Sequence, residues 1–332
     1  MDFHLKLSPA YVKKIAIFRA LQLGDMLCAV PAIRALRASY PDAEITLLGL
    51  PWAKSFTERF KDYIDRFIWF PGYPGLPEQE FSAPVFCTFL EKMIGEEFNL
   101  ILQMQGNGTI VNPMIELLGA EYSAGYFKEG IYAPDNGLFM EYPNYGHEAE
   151  RHVKLMEFLG IPPLGTDLEF PLTARDYADF NETALPIEEK KYVCIHPGSR
   201  GAWRRWPPEY FAQLADIVAG QGFTPVLTGT SDELDIVNAV VSHMFHPPVI
   251  AAGKTSMGAV AVLIERAFAL ISNCTGVSHI AAALKTPSVV ISLDGESDRW
   301  APQNRSLHDV IDWTVNPDFN LVSDAVERLF RK

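Results

Sequence analysis

The chain has 332 residues and carries 28 Lys and Arg against 41 Asp and Glu, a net charge of −13. At roughly 100–200 residues per domain this length predicts two domains. With 48% hydrophobic and 21% charged residues the composition is globular and excludes a disordered or fibrous chain. So acidic a chain repels a phosphate polyanion, which excludes general nucleic-acid binding but leaves room for an anionic substrate met by a few local cations.

Cys28, Cys87, Cys194 and Cys274 lie far apart in apolar stretches with no Cys-x-x-Cys pair, the pattern of reduced cytosolic thiols packed as small hydrophobes. The segment Met1 to Lys14 alternates apolar and charged residues and lacks a signal-peptide core. No apolar run approaches the ~18–20 residues of a membrane span; the longest candidate, Met257 to Ile264, is stopped by Glu265-Arg266. A cytoplasmic location is expected.

Short apolar runs alternate with helix-period segments along the chain, the pattern of α/β units around a parallel sheet. Lys14-Ile-Ala-Ile-Phe-Arg19 reads as a buried strand. After Leu23-Gly-Asp25 comes a helix with Met26, Val30, Ile33 and Leu36 on one face, in which Pro31 should form a kink or the true first turn. Ile45 to Leu48, Arg66 to Trp69 and Leu100 to Met104 read as strands, and Phe70-Pro-Gly-Tyr-Pro-Gly-Leu-Pro77 as a loop. His147 to Leu159 has helical spacing and stops at Gly160 before two prolines.

Gly160 to Lys191, rich in Pro, Asp, Glu and Thr, contains the expected linker. The rhythm then restarts. Lys191 to Ile195, Phe223 to Leu227, Val249-Ile250, Phe268 to Ile271 and Ser288 to Leu293 read as strands. Helices are expected at Pro208 to Ala219, from Asp232, Met257 and Thr275, and at Phe319 to Phe330. The expected fold is two Rossmann-like, doubly wound α/β domains facing each other across a cleft. In such sheets ligands sit at the carboxyl ends of the strands, which selects the loops to inspect.

The loop after the first strand carries Asp25, either a helix cap or a general base able to take a proton from a hydroxyl nucleophile. The first strand of the second half ends in His196-Pro-Gly-Ser-Arg200, followed by Trp203-Arg-Arg-Trp-Pro207. Backbone N–H groups beside Ser199 suit phosphate oxygens, and Arg204 and Arg205 either offset charge on a diphosphate or form a solvated pair. Ile271-Ser-Asn-Cys-Thr-Gly276 runs a strand into a helix whose N-terminus is a natural phosphate seat, with Thr275 and Gly276 as contacts. His279 follows one turn later, either a catalytic residue or a histidine that is simply packed or capped. In Gly229-Thr-Ser-Asp-Glu233, Glu233 either accepts ribose hydroxyls or favours a helix N-terminus. There is no Asp-x-Asp, and His196, His243 and His246 lack carboxylates at a metal-site spacing, so no metal site is expected. No G-x-G-x-x-G follows the first strand of either half, which argues against a nicotinamide cofactor.

Leu23-Gly-Asp-Met-Leu-Cys-Ala-Val-Pro-Ala-Ile33, Gln105-Gly-Asn107, His196-Pro-Gly-Ser199 with Arg204-Arg-Trp-Pro207, Thr228-Gly229, and Thr275-Gly-Val-Ser-His-Ile-Ala-Ala-Ala-Leu284 occur in an order that resembles family 9 glycosyltransferases, the ADP-heptose:lipopolysaccharide heptosyltransferase family. Gly125-Tyr126 and the helix from His147 to Gly160 fall where that family has similar segments. The resemblance implies a GT-B fold. An acceptor domain at 1–170, joined by a final helix at 319–332, is linked through 171–190 to a nucleotide-sugar domain at 191–318. It implies inverting, metal-independent transfer of a sugar, by default heptose from ADP-heptose as co-substrate, to a glycan hydroxyl, by default of the lipopolysaccharide core. A small soluble acceptor and peripheral contact with the cytosolic face of the inner membrane stay open. By the same resemblance Asp25 is the catalytic base. Ser199, Arg204, Arg205, Thr275, Gly276 and His279 meet the donor diphosphate, Gly229 and Glu233 its nucleoside, and Gln105 and Asn107 lie on the acceptor side. Two departures stand out: Cys274 replaces the acidic residue before Thr-Gly, and Gln103 stands where many members have Asp. The first favours a non-catalytic nucleotide- or glycan-binding protein, and a nucleotide-sugar epimerase-like enzyme is a further alternative. Arg34 and Arg37, three residues apart on the first helix, either greet an anionic acceptor or are solvated.

Overall fold

The computed structural model describes residues 3–135 and 137–331, so Met1 of the amino-terminal reading and Lys332 of the last expected helix lie outside the described residues. The chain divides into two compact units at Asp167 and Leu168. The first runs β1 (Lys14–Phe18), α1 (Leu23–Ser39), β2 (Glu44–Gly49), α2 (Ala53–Arg59), β3 (Arg66–Trp69), α3 (Ala83–Glu96), β4 (Leu100–Gln103), α4 (Val111–Glu116), β5 (Tyr122–Phe127), β6 (Phe139–Glu141) and α5 (Glu148–Phe158). The second runs α6 (Ala174–Glu182), β7 (Tyr192–His196), α7 (Pro208–Gly220), β8 (Thr224–Leu227), α8 (Leu234–His243), β9 (Val249–Ile250), α9 (Met257–Arg266), β10 (Ala269–Asn273), α10 (Gly276–Leu284), β11 (Ser288–Ser292), α11 (Ser297–Trp300), β12 (His308–Asp312) and α12 (Phe319–Leu329).

Each unit is built on one six-stranded sheet, ordered β3-β2-β1-β4-β5-β6 in the first and β12-β11-β10-β7-β8-β9 in the second. Every neighbouring pair is parallel. The central strands are buried on both faces, β7, β10 and β11 along their whole length, which is why they read as continuous apolar runs rather than alternating ones. The two orders are the same doubly wound topology. Chain direction across the sheet reverses between β1 and β4, and again between β7 and β10, and those switch points are where such sheets open a crevice for ligand.

Several elements depart from the sequence reading. Pro31 neither starts nor ends α1, which begins at Leu23 and carries the proline inside. Every residue from Met26 to Leu36 except Arg34 is buried, and α1 packs against α5. The expected linker is not a bare connection. Within it α6 is closed by a capping box between Thr173 and Asp176. It docks on α9, with the Tyr177 hydroxyl donating to the Glu265 carboxylate at 3.0 Å and the Arg266 guanidinium 5.3 Å over the Tyr177 ring.

The final helix does not join the first unit. Val322, Ala325, Val326 and Leu329 of α12 belong to the core of the second. Aromatic stacking holds both ends: Phe319 lies 6.0 Å from the Trp206 ring at an interplanar angle of 10°, and Phe330 lies 5.5 Å from Phe268 at 5°. Cys28, Cys194 and Cys274 are buried as expected, but Cys87 is exposed on α3. Among the described residues no helix is long and apolar enough to cross a membrane.

Beside the switch strands, β12 places His308 against β11, where its Nδ1 shares a hydrogen bond of 2.8 Å with the Ser288 hydroxyl. Burial, and then repulsion from Arg305, depresses its pKa from 6.5 to about 4. A depressed histidine is neutral when folded, so its stabilising effect is complete above pH 6.5 and is lost as pH falls toward 4. Between pH 7 and pH 5 this one group lowers stability by about 2 kcal/mol. Urea unfolding at the two pH values should show that loss shrinking by a similar amount in His308→Gln.

Candidate functional site

In the first unit the loops leaving β1 and β4 are tied by one buried cation. Arg19, the residue after β1, is fully buried. Its Nε and Nη2 donate to the Asp25 carbonyl at 3.0 and 2.8 Å, and its Nη1 donates to the Met104 carbonyl beyond β4. Its charge is answered by Glu148 at 3.5 Å, itself only 4% exposed at the start of α5. A guanidinium out of water is costly unless every donor is occupied. Here that requirement sets the path of both loops at the switch point.

Asp25 sits on the part-exposed first turn of α1. It is not the cap itself: Gln22 is, and Asp25 closes a reciprocal capping box with it, its Oδ2 accepting from the Gln22 N–H at 3.3 Å. The capping expectation is thus met in altered form, while the carboxylate stays at the carboxyl end of β1, compatible with the chemical reading. Gln105 and Asn107 are tied into the fold of the β4 loop. Gln105 is 5% exposed and its Oε1 accepts from the Ala20 N–H at 2.7 Å. Asn107 Oδ1 accepts from the Thr109 N–H at 3.1 Å.

Gln103 bridges the same loop to β5, its Nε2 donating to the Gln105 carbonyl at 2.7 Å and its Oε1 accepting from the Tyr126 N–H at 3.2 Å. The close approach demands glycine next door, since a Cβ on Gly125 would lie 2.6 Å from the Gln103 carbonyl oxygen. Arg34 and Arg37 are anchored rather than solvated. Arg34 donates to the Leu164 carbonyl at 2.8 Å; Arg37 donates to the Ala43 carbonyl at 2.7 Å and pairs with Asp65. An apolar groove of about 460 Å³ between β3 and α3, lined by Ile68, Trp69, Pro71, Val85 and Phe89 among others, contains none of the residues singled out from the sequence.

In the second unit an amide does the tying. Asn273, at the end of β10, is fully buried. Its Nδ2 donates to the Pro197 and Gly198 carbonyls at 2.8 and 3.3 Å, and its Oδ1 accepts from the Trp206 N–H at 3.1 Å. Both halves of the loop after β7 are therefore fastened to β10 across the switch point. Ser199 is only 4% exposed, and its carbonyl accepts from Arg205 Nε at 2.8 Å. Arg204 pairs with Asp294 and lies 5.4 Å from the Trp203 ring. The two arginines are held in place, not solvated.

Thr275 is the N-cap residue of α10 but makes no side-chain capping bond, so its hydroxyl does not take up the first-turn N–H donors that a helix end offers to an anion. His279 is 4% exposed one turn on, buried beneath that terminus. Gly229 lies just beyond β8, its carbonyl accepting from the Gly253 N–H at 3.0 Å. Glu233 forms a capping box with Thr230, its Oε2 accepting from the Thr230 N–H at 2.9 Å. Its other oxygen presses on the neighbouring loop, and a Cβ on Gly198 would come within 2.2 Å of Glu233 Oε1.

Folding brings two histidines to distant carboxylates that sequence spacing does not reveal. His196 Nε2 lies 3.9 Å from Glu233 Oε2, and His246 Nδ1 lies 2.8 Å from Asp216 Oδ1. Burial lowers the pKa of His196, with Glu233 opposing. Among the described residues no group of three or more His, Cys, Asp or Glu is placed to hold a metal ion.

Sequence reasoning missed Arg19, Asn273 and Asp294. Arg19 reads as the polar end of a strand, Asn273 as one letter of the run from Ile271 to Gly276, and Asp294 follows β11 in no motif. The hint available was position, since all three stand at or just beyond the carboxyl end of a strand.

Residues 89–323 match glycosyltransferase family 9 (heptosyltransferase). The chain is 26% identical over 309 residues to lipopolysaccharide heptosyltransferase 3 of Escherichia coli strain K12, covering 86% of this chain and 83% of that protein. A family 9 glycosyltransferase of Veillonella parvula has a similar structure, with a TM-score of 0.80 at 18% identity, over 98% of this chain and 99% of that one. The ADP-heptose lps heptosyltransferase II of E. coli matches with a TM-score of 0.74 at 18% identity, over 96% and 98%. The likeness extends to both parallel α/β units, the GT-B type of architecture. The chain belongs to glycosyltransferase family 9 and is a glycosyltransferase.

Proposed function

We propose that the protein transfers heptose from ADP-heptose to a hydroxyl of a lipopolysaccharide core glycan, by a single displacement that inverts the anomeric carbon. The observation that carries this reading is the switch point of the second unit, where the uncapped N-terminus of α10 meets a loop bearing Arg204 and Arg205. A helix N-terminus carries about half an elementary charge with unpaired N–H donors. Together with guanidinium it offsets the charge that builds on a departing diphosphate, and this scheme requires no metal ion. Support for the donor and acceptor comes from the relatives, named as an ADP-heptose lps heptosyltransferase and a lipopolysaccharide heptosyltransferase.

In this scheme the second unit holds the donor. Its diphosphate sits against Ser199, Arg204, Arg205, Thr275 and Gly276, with His279 behind them, and its nucleoside lies toward Gly229 and Glu233. The first unit holds the acceptor near Gln105 and Asn107 and supplies Asp25 as general base. The capping bond from the Gln22 N–H orients that carboxylate at the carboxyl end of β1, and an ionised carboxylate is an acceptor for the proton of the attacking hydroxyl. The reaction takes place on the cytoplasmic side, with the protein in peripheral contact with the inner membrane that presents the acceptor.

Two measurements test this reading. ADP and ADP-heptose should each raise the thermal midpoint, because whatever binds the folded state stabilises it; no shift with either removes the donor assignment. Asp25→Ala should keep its ADP-induced shift while turnover falls by roughly 10²–10⁴, the range of a general base. Wild-type turnover in that variant removes Asp25 from the chemistry.

A further inference from the structure

The strand order β12-β11-β10-β7-β8-β9 sets the loops of the second unit in a row. With the seat between β10 and β7, one flank is the loop after β8 and the other the loop after β11. Each flank carries a largely buried carboxylate: Glu233, 13% exposed, on the β8 side, and Asp294, 5% exposed, on the β11 side. A nucleotide-sugar is a diphosphate with a hydroxyl-bearing ring at each end. Held by its diphosphate at the switch point, it lays one ring on each flank. A carboxylate is the strongest acceptor a side chain offers to a ring hydroxyl.

We propose that Asp294 reads the donor's sugar, accepting a hydrogen bond from one of its hydroxyls, while Glu233 faces the nucleoside. This rests on the reading that the second unit binds a nucleotide-sugar. The partners of Asp294 leave room for the contact. Its Oδ1 accepts from the Ser292 hydroxyl at 3.0 Å and the Glu296 N–H at 3.1 Å, while among the described residues Oδ2 receives one donor, Arg204, and a carboxylate oxygen can accept a second.

Two neighbouring polar groups on that flank, Cys274 and Glu296, are otherwise engaged. Cys274 packs with Val290, Ala301 and Trp300. Its thiol is pushed up to about 12 by burial and then by the Asp294 carboxylate, so it stays neutral. Glu296 is exposed and turned to its own helix, where it takes Arg299 at 3.1 Å and the Trp300 Nε1 at 3.2 Å. Arg204 thus links the two functions, binding the sugar-reading carboxylate while standing beside the diphosphate seat.

The test is the ratio of affinities for ADP-heptose and ADP, measured by titration calorimetry on the whole protein. Asp294→Asn should bind ADP at least as tightly as wild type, since it frees Arg204, and should lose about tenfold or more in the ratio. The same factor should be lost in an Arg204→Gln background. An unchanged ratio in Asp294→Asn overturns the proposal alone. So does a loss that vanishes in the Arg204→Gln background, which would mean that Asp294 only positions Arg204. A wild-type protein that binds neither ligand overturns the underlying reading instead, and the proposal with it.

Discussion

In each unit a buried polar side chain ties together the loops that leave the two central strands. In the first it is Arg19, which holds the carbonyls of Asp25 and Met104. In the second it is Asn273, which holds Pro197, Gly198 and the N–H of Trp206. The need is physical: at a switch point neighbouring strands diverge, so backbone groups at their ends lose the sheet's own hydrogen bonds and must find other partners. Replacing either side chain would leave several buried groups unpaired, each at about 1–3 kcal/mol. The same bonds fix the loops before any ligand arrives, which is the preorganisation that transfer chemistry requires.

That constraint shapes the electrostatics. The chain is strongly acidic, yet the proposed donor seat is built from positive ends: the α10 terminus, Arg205 held by the Ser199 carbonyl, and Arg204 shared with Asp294. Little of this depends on free side-chain charge. His196, next to Glu233, is kept neutral by burial, so the second unit does not lean on an imidazolium there. Orientation, rather than the number of cations, gives the seat its character.

Much of the fold was legible because parallel strands buried on both faces show as apolar runs, and helix entries show as Asp, Thr or Pro at strand ends. β3 and β9 fall where the apolar pattern puts them. The failures have equally specific causes. The stretch before β7 reads as a linker because α6 hides its apolar contact in Tyr177 and Phe180 under Arg266, a pattern rich in polar letters. The resemblance places α12 with the first unit, whereas it falls in the second, where its partners, Trp206 and Phe268, lie far away in sequence. Of the proposed site, loop position and residue type single out Asp25, Ser199, Arg204, Thr275 and Glu233 in the sequence. Arg19, Asn273 and Asp294 act by pairing across strands, and single-chain spacing carries no record of such pairs.

The account depends most directly on where a diphosphate binds, which a crystal structure of the protein with ADP would answer. The account predicts phosphate oxygens on the N–H groups of Gly276 and Val277, with Arg205 beside them and the Asn273 bonds unbroken. ADP bound away from the ends of β7 and β10, with the α10 terminus unoccupied, would contradict it.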